Sequence, residues 1–197
     1  MEIEPSEYCF CVIAARESLK RLENNFYSAL ILFNHFRSKM GLEMPTDPTS
    51  NYQFSEVAAR DAISTVYYFR SSLTQLAKNV PLCPDTQNTV KLNLIYEAQE
   101  LYNEYFPEAA SVRHGIAHAS QGMAKPGQSR KTSLNDDGDS SVDEGPKVIK
   151  RSGFHGSVVT VTFQGKEWSA DISEESLKKL QEIRQLTVDA FDFDVNV

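Results

Sequence analysis

Apolar residues recur every three or four positions from Val12 to Phe36: Val12, Ala15, Leu19, Leu22, Phe26, Ala29, Leu30, Phe33 and Phe36. Ser6 to Met40 holds no proline or glycine, so the spacing predicts one long amphipathic helix, or two with a slight break. Gly41 is a stop signal, and the prolines and turn formers of "MPTDPTSNYQ" predict a loop over Met44 to Gln53. A second helix is expected from about Ser55 to Asn79, turning Val57, Ala58, Ala62, Val66, Phe69, Leu73 and Leu76 inward before Pro81 and Pro84 end it. A third is expected from Asp85 to Tyr105, with Asp85 and a Thr suited to capping and Val90, Leu94, Ala98 and Leu101 buried. Pro107 and Glu108 suit a helix start, so Glu108 to Ser120 predicts a short fourth helix.

Beyond Gly122 the pattern disappears. Residues 123–153 contain almost no large apolar side chain and pass from a basic half to an acidic half, which predicts a flexible polar loop. Its Lys125, Arg130 and Lys131 are candidate substrate contacts. From Ser157, "SVVTVTF", a "QG" turn and "KEWSADI" predict a β-hairpin. Ser173 then caps a last helix, with Glu174 and Glu175 in its first turn and Leu177, Leu180, Ile183, Leu186 and Ala190 in one stripe. An isolated hairpin is marginal in water, so the 154–197 unit must pack on the helical body or on another chain. The expected architecture is mainly α: an up-and-down helical bundle over 1–122 with an appended C-terminal β-hairpin and helix.

Composition narrows the function classes. With 197 residues and 41% hydrophobic content the chain can bury a genuine core. No apolar run approaches the roughly eighteen residues of a membrane span, and the acidic start "MEIEPSE" is unlike a signal peptide, so a cytoplasmic protein with no membrane contact is expected. Cys9, Cys11 and Cys83 lack zinc spacing and are expected to be buried free thiols. A net charge of −7 argues against non-specific duplex DNA binding, yet leaves room for arginines to hold one phosphate locally. P-loop, GxGxxG and GxSxG patterns are absent, which removes ATPase, dinucleotide and hydrolase readings.

The chemistry concentrates in "SVRHGIAHAS", where Arg113, His114 and His118 fall within six residues of a chain with four histidines. Arginine offers a planar fork to phosphate oxygens, and a neutral histidine can accept or give a proton. RNA carries its own 2′-hydroxyl nucleophile, so a cutter of RNA needs no metal to make one. Arg113 and His118 lie about 140° apart around a helix, whereas His114 and His118 share a face. Two other readings fit the same residues. Arg113 pairs with Glu108 or a nearby carboxylate in an inert polar network, or His114 and His118 grip a transition metal, although HExxH, paired CxxC and ExxH repeats are absent. On the second helix, Glu56, Arg60 and Tyr67 share one side and suit either phosphate binding or an ion-paired face. Tyr67, Tyr68 and Phe69 suit base stacking or the core.

With Arg113, four intervening residues and His118 on the last short helix of a bundle, the stretch from Ser6 to Ser120 resembles the HEPN family. Its signature is an arginine followed four to six residues later by histidine, often with Asn, Asp or His directly after the arginine, a position His114 fits. The resemblance implies a homodimer whose two motifs face one cleft, and a metal-independent endoribonuclease of toxin or defence type that needs no cofactor. Arg113 and His118 would be its catalytic pair and His114 the supporting group, with RNA as substrate and an antitoxin or other protein as partner. Some relatives carry a tyrosine just beyond the histidine for modification by a nucleotidyltransferase; Ala119 and Ser120 stand here instead. A HEPN-like module that binds RNA, a nucleotide or a protein without cutting is the alternative.

Overall fold

In the computed structural model, which describes residues 4–39, 48–119, 152–163 and 166–191, the side chains of 48, 49, 118, 119, 152, 154 and 163 excepted, the chain is mainly helical. Its first element is the unbroken helix α1 (Pro5–Ser38), whose buried stripe runs Val12, Ala15, Leu19, Leu22, Phe26, Ala29, Leu30 and Phe33. Helix α2 (Pro48–Asn79) packs along it. Ser18 hydrogen-bonds Ser72 at 2.9 Å while Phe36 stacks on Phe54 at 4.9 Å, so the two run antiparallel. This hairpin buries Ala62, Phe69, Leu73 and Leu76 against Phe26 and Phe33.

Helix α2 starts earlier than its sequence suggested. Proline is tolerated at the start of a helix, where its missing N–H has no partner to lose, so Pro48 opens α2 and residues 48–53 are helical rather than loop. The remainder of that expected loop, 44–47, lies outside the described residues. Val57 is corrected too: it is 63% exposed, because the buried arc of α2 is centred on Ser55, Ala62, Phe69 and Leu76 and position 57 falls on the outer side.

A short 3-10 turn (Val80–Leu82) follows, and its neighbour corrects the cysteine expectation. Cys9 and Cys83 form a disulfide across 74 residues, joining the start of α1 to the residue just after the 3-10 turn that follows α2. Cys11, two positions further round α1, is free and exposed rather than buried. Local spacing could not reveal the bond, because the antiparallel hairpin alone brings the two sulfurs together.

Helix α3 (Leu92–Tyr105) begins seven residues later than expected. Thr86 does not cap it; its hydroxyl donates to the Val80 carbonyl at 2.9 Å and holds residues 84–89 as turns. The buried side chains of α3 are Ile95, Ala98 and Tyr102, while Val90, Leu94 and Leu101 are only half-buried. Tyr102 stacks on Phe69 and donates its hydroxyl to the Val66 carbonyl at 2.8 Å, which clamps α3 to α2.

Helix α4 (Ala109–Ala119) is the short helix that the sequence placed there. It contacts α2 on one side and the sheet on the other. That sheet has three antiparallel strands, β1 (Ser152–His155), β2 (Val158–Phe163) and β3 (Lys166–Asp171), in the order β1-β2-β3. The expected hairpin is β2–β3, registered by Val159 opposite Ala170 and Val161 opposite Trp168. Its "QG" turn lies outside the described residues. Strand β1 is an addition that takes residues 152 and 153 out of the expected loop; the rest of that loop, with Lys125, Arg130 and Lys131, lies outside the described residues. The β1–β2 turn uses Gly156 at φ 59°, a backbone conformation that strains residues with a Cβ. Inward-facing Val159 and Val161 are buried, and through them the sheet covers α4.

Helix α5 (Glu174–Phe191) closes the fold, capped as expected by the Ser173 hydroxyl, which accepts from the Ser176 N–H at 3.2 Å. It fits between α1 and α3. Arg184 pairs with Glu23, Arg16 lies over the Phe191 ring, and Tyr105 donates to Glu182 at 2.9 Å. No described helix is long and apolar enough to cross a membrane.

Candidate functional site

Proline at 107 ends the reach of α3, and α4 then starts with Ala109 and Val112 buried against the body. The Glu108 carboxylate accepts the Ser169 N–H at 2.9 Å, so it ties the start of α4 to β3. The Arg113–Glu108 pair weighed from the sequence is not formed; Arg113 turns to the tyrosines of α2 instead. With Ala109, Val112 and Gly115 turned inward, helical spacing brings the half-buried Arg113 and His114 to the flank that meets α2.

On that flank Tyr67 is the hub. The guanidinium carbon of Arg113 lies 5.1 Å from the Tyr67 ring centroid, and its Nη2 donates to the Tyr68 hydroxyl at 3.4 Å. His114 meets the edge of Tyr67, with ring centroids 6.1 Å apart. Tyr67 and Tyr68 are themselves edge to face at 5.4 Å. Among the described residues no carboxylate lies within ion-pair distance of Arg113. The Tyr67 ring holds the cation by its quadrupole, an interaction that does not cancel formal charge.

The backbone of His118 belongs to α4, one turn beyond His114, but its side chain lies outside the described residues. The structure thus brings together Arg113 and His114, with Tyr67 and Tyr68 added. Glu56 and Arg60 stand elsewhere: they pair with each other at 2.6 Å on exposed α2, the ion-paired face that the sequence allowed. The tyrosines divide the run containing them, for Phe69 is core whereas Tyr68 is 47% exposed. The contact from Tyr68 to Arg113 spans 45 positions, and nothing local in either segment announces it.

For metal, the described residues that cluster are Cys9, Cys83 and Asp85. The two sulfurs there are bonded to each other, so the thiolate donors a soft metal would need are absent. The arrangement at α4 can do something else: a guanidinium with no carboxylate partner among the described residues, next to the exposed Tyr68, can bind a phosphate while the tyrosine stacks a base. No family model, curated protein or solved structure matches the chain.

Proposed function

We propose that the α4 corner is the RNA site of a metal-independent endoribonuclease of HEPN type, acting in a toxin or defence role. The observation that carries this reading is Arg113 itself, held over Tyr67 and against Tyr68 with no carboxylate partner among the described residues, in a chain of net charge −7. A cation with no counter-charge among the described residues of an acidic protein suits an anionic ligand.

Arg113 grips two non-bridging oxygens of the scissile phosphate and stabilises the charge that builds as phosphorus becomes crowded. His118 takes the proton from the 2′-hydroxyl; the 2′-oxygen bonds to phosphorus, the 5′-oxygen leaves, and a proton is returned to it. The products are a 2′,3′-cyclic phosphate and a 5′-hydroxyl. His114 supports the site from its place against Tyr67, and Tyr68 offers a face to a base. Because Arg113 and His118 diverge by about 140° on one helix, the proposal includes a homodimer in which each motif completes the other across a cleft. A cytoplasmic setting and an antitoxin or other regulatory protein belong to the same proposal. A reducing compartment would open Cys9–Cys83 without dismantling the corner, since Cys83 lies fifteen residues beyond Tyr68, about 22 Å along a helix.

A second reading has its own support. Exposed Tyr68 beside a guanidinium suffices for binding an RNA or a nucleotide without cleavage. One experiment separates them: purified protein is incubated with single-stranded RNA in EDTA and the new ends are mapped. Cyclic-phosphate termini in wild type, lost in Arg113→Ala and in His118→Ala, support the nuclease. Saturable RNA binding with intact RNA selects the binding module, and loss of cleavage in EDTA with return on adding zinc contradicts both roles as stated.

A further inference from the structure

A cavity of about 210 Å³ lies where the sheet and α5 meet the helical bundle, beneath the first turn of α4. Its floor is apolar, built by Phe26, Ile63, Val66 and Ile172. Two charged side chains of opposite sign also line it, Glu108 and Lys179. Both hydrogen bonds to Glu108 fall on Oε2, from the N–H and hydroxyl of Ser169, so Oε1 has no partner among the described residues. The Lys179 ammonium lies 5.0 Å above the Tyr105 ring, and among the described residues no carboxylate reaches it. The remaining charge on the lining, Asp171, is already engaged by the hydroxyls of Ser157, Ser173 and Ser176.

We propose that this cavity is a binding site for a small zwitterion with an apolar body, in chemical class an aromatic or large aliphatic α-amino acid. The ligand's ammonium meets Glu108 Oε1, its carboxylate meets Lys179, and its side chain occupies the apolar floor. Size agrees: a dry cavity of roughly 150 Å³ accommodates benzene, so this one holds a ring and several further atoms. Charge selects the class. A purely cationic ligand would face Lys179 and a purely anionic one Glu108, whereas a zwitterion satisfies both and leaves no opposed charge at the rim. The site uses none of Arg113, His114 or His118, so it stands whether or not the chain cuts RNA.

The test titrates the full chain, carrying labelled methyl groups, with L-phenylalanine, 2-phenylethylamine, 3-phenylpropanoate and glycine. The proposal expects saturable one-to-one binding of phenylalanine that moves the Ile63, Val66 and Ile172 methyl resonances. Each singly charged analogue binds at least tenfold more weakly, and glycine does not bind. Glu108→Gln and Lys179→Met each lower phenylalanine affinity by a similar factor. Absence of saturable binding, equal binding of a singly charged analogue, or shifts confined to other methyls overturns it. The wild-type series decides alone if either variant fails to fold.

Discussion

Two half-buried arginines, Arg184 in the α1–α5 seam and Arg113 at the α2–α4 corner, sit in opposite electrostatic settings. Arg184 pairs with Glu23, and about two turns further along Arg16 covers Phe191, so the seam answers its charge with a carboxylate and its ring with a cation. Arg113 has rings and a hydroxyl but no carboxylate among the described residues. In the seam, charge serves to dock one helix on another. At the corner, a positive charge is held by rings and a hydroxyl with no carboxylate partner among the described residues, the setting on which the proposed anion site rests. The difference teaches that function is better sought where a charge is positioned than where it is paired.

The largest effect expected is on activity. Arg113→Ala and His118→Ala should each lower RNA cleavage by roughly 10²- to 10⁴-fold while changing stability by less than about 1 kcal/mol, measured by gel assay and by denaturant unfolding. His114→Ala should be milder. Removing the disulfide tests the hairpin instead: Cys83→Ser should cost about 4 kcal/mol of stability, as expected for releasing a closed loop of 74 residues, and leave RNA cleavage intact below the melting transition. Equal losses of activity in Cys83→Ser and Arg113→Ala would erase the distinction between frame and corner.

A smaller effect is expected at the clamp between α2 and α3. Tyr102→Phe removes a buried hydrogen bond to the Val66 carbonyl and should cost about 1 kcal/mol. Burial raises the Tyr102 pKa above the ordinary 10.0, outweighing the lowering influence of Arg70. The unfolded chain therefore releases a proton above that value that the folded chain retains. Tyr102's contribution is complete below pH 10 and declines as the pH rises past it. Urea titrations between pH 8 and 11 should show this decline in wild type and a shallower one in Tyr102→Phe. Smallest is the seam pair: Glu23→Gln should cost about 1 kcal/mol or less, and Arg113→Gln should be neutral in stability.

Periodicity made most of the frame legible. Residues Val12 to Phe33 repeat so regularly that α1 and its buried face follow from spacing alone, and Ser173 with two glutamates marks the start of α5. Failures came where a local signal had two outcomes. Pro48 reads equally as loop or helix start, and Thr86 as cap or turn residue, and tertiary packing decides each. Strand β1 was missed because Gly153 and His155 supply no β-branched signal; pairing with β2 makes it a strand. The disulfide and the tyrosine platform under Arg113 depend on contacts between distant segments. Arg113 and His114 could be singled out from composition, but their surroundings could not.

The central proposal, that Arg113 is a positioned phosphate fork, is tested most directly by following the arginine Nε–H resonances during titration with single-stranded 2′-O-methyl RNA, which offers phosphates without a nucleophile. The account predicts that the Arg113 resonance shifts saturably, that the shift weakens as salt is raised, and that Arg184 stays where it is. An Arg113 resonance that does not move, or one that moves no more than that of Arg184, would contradict it.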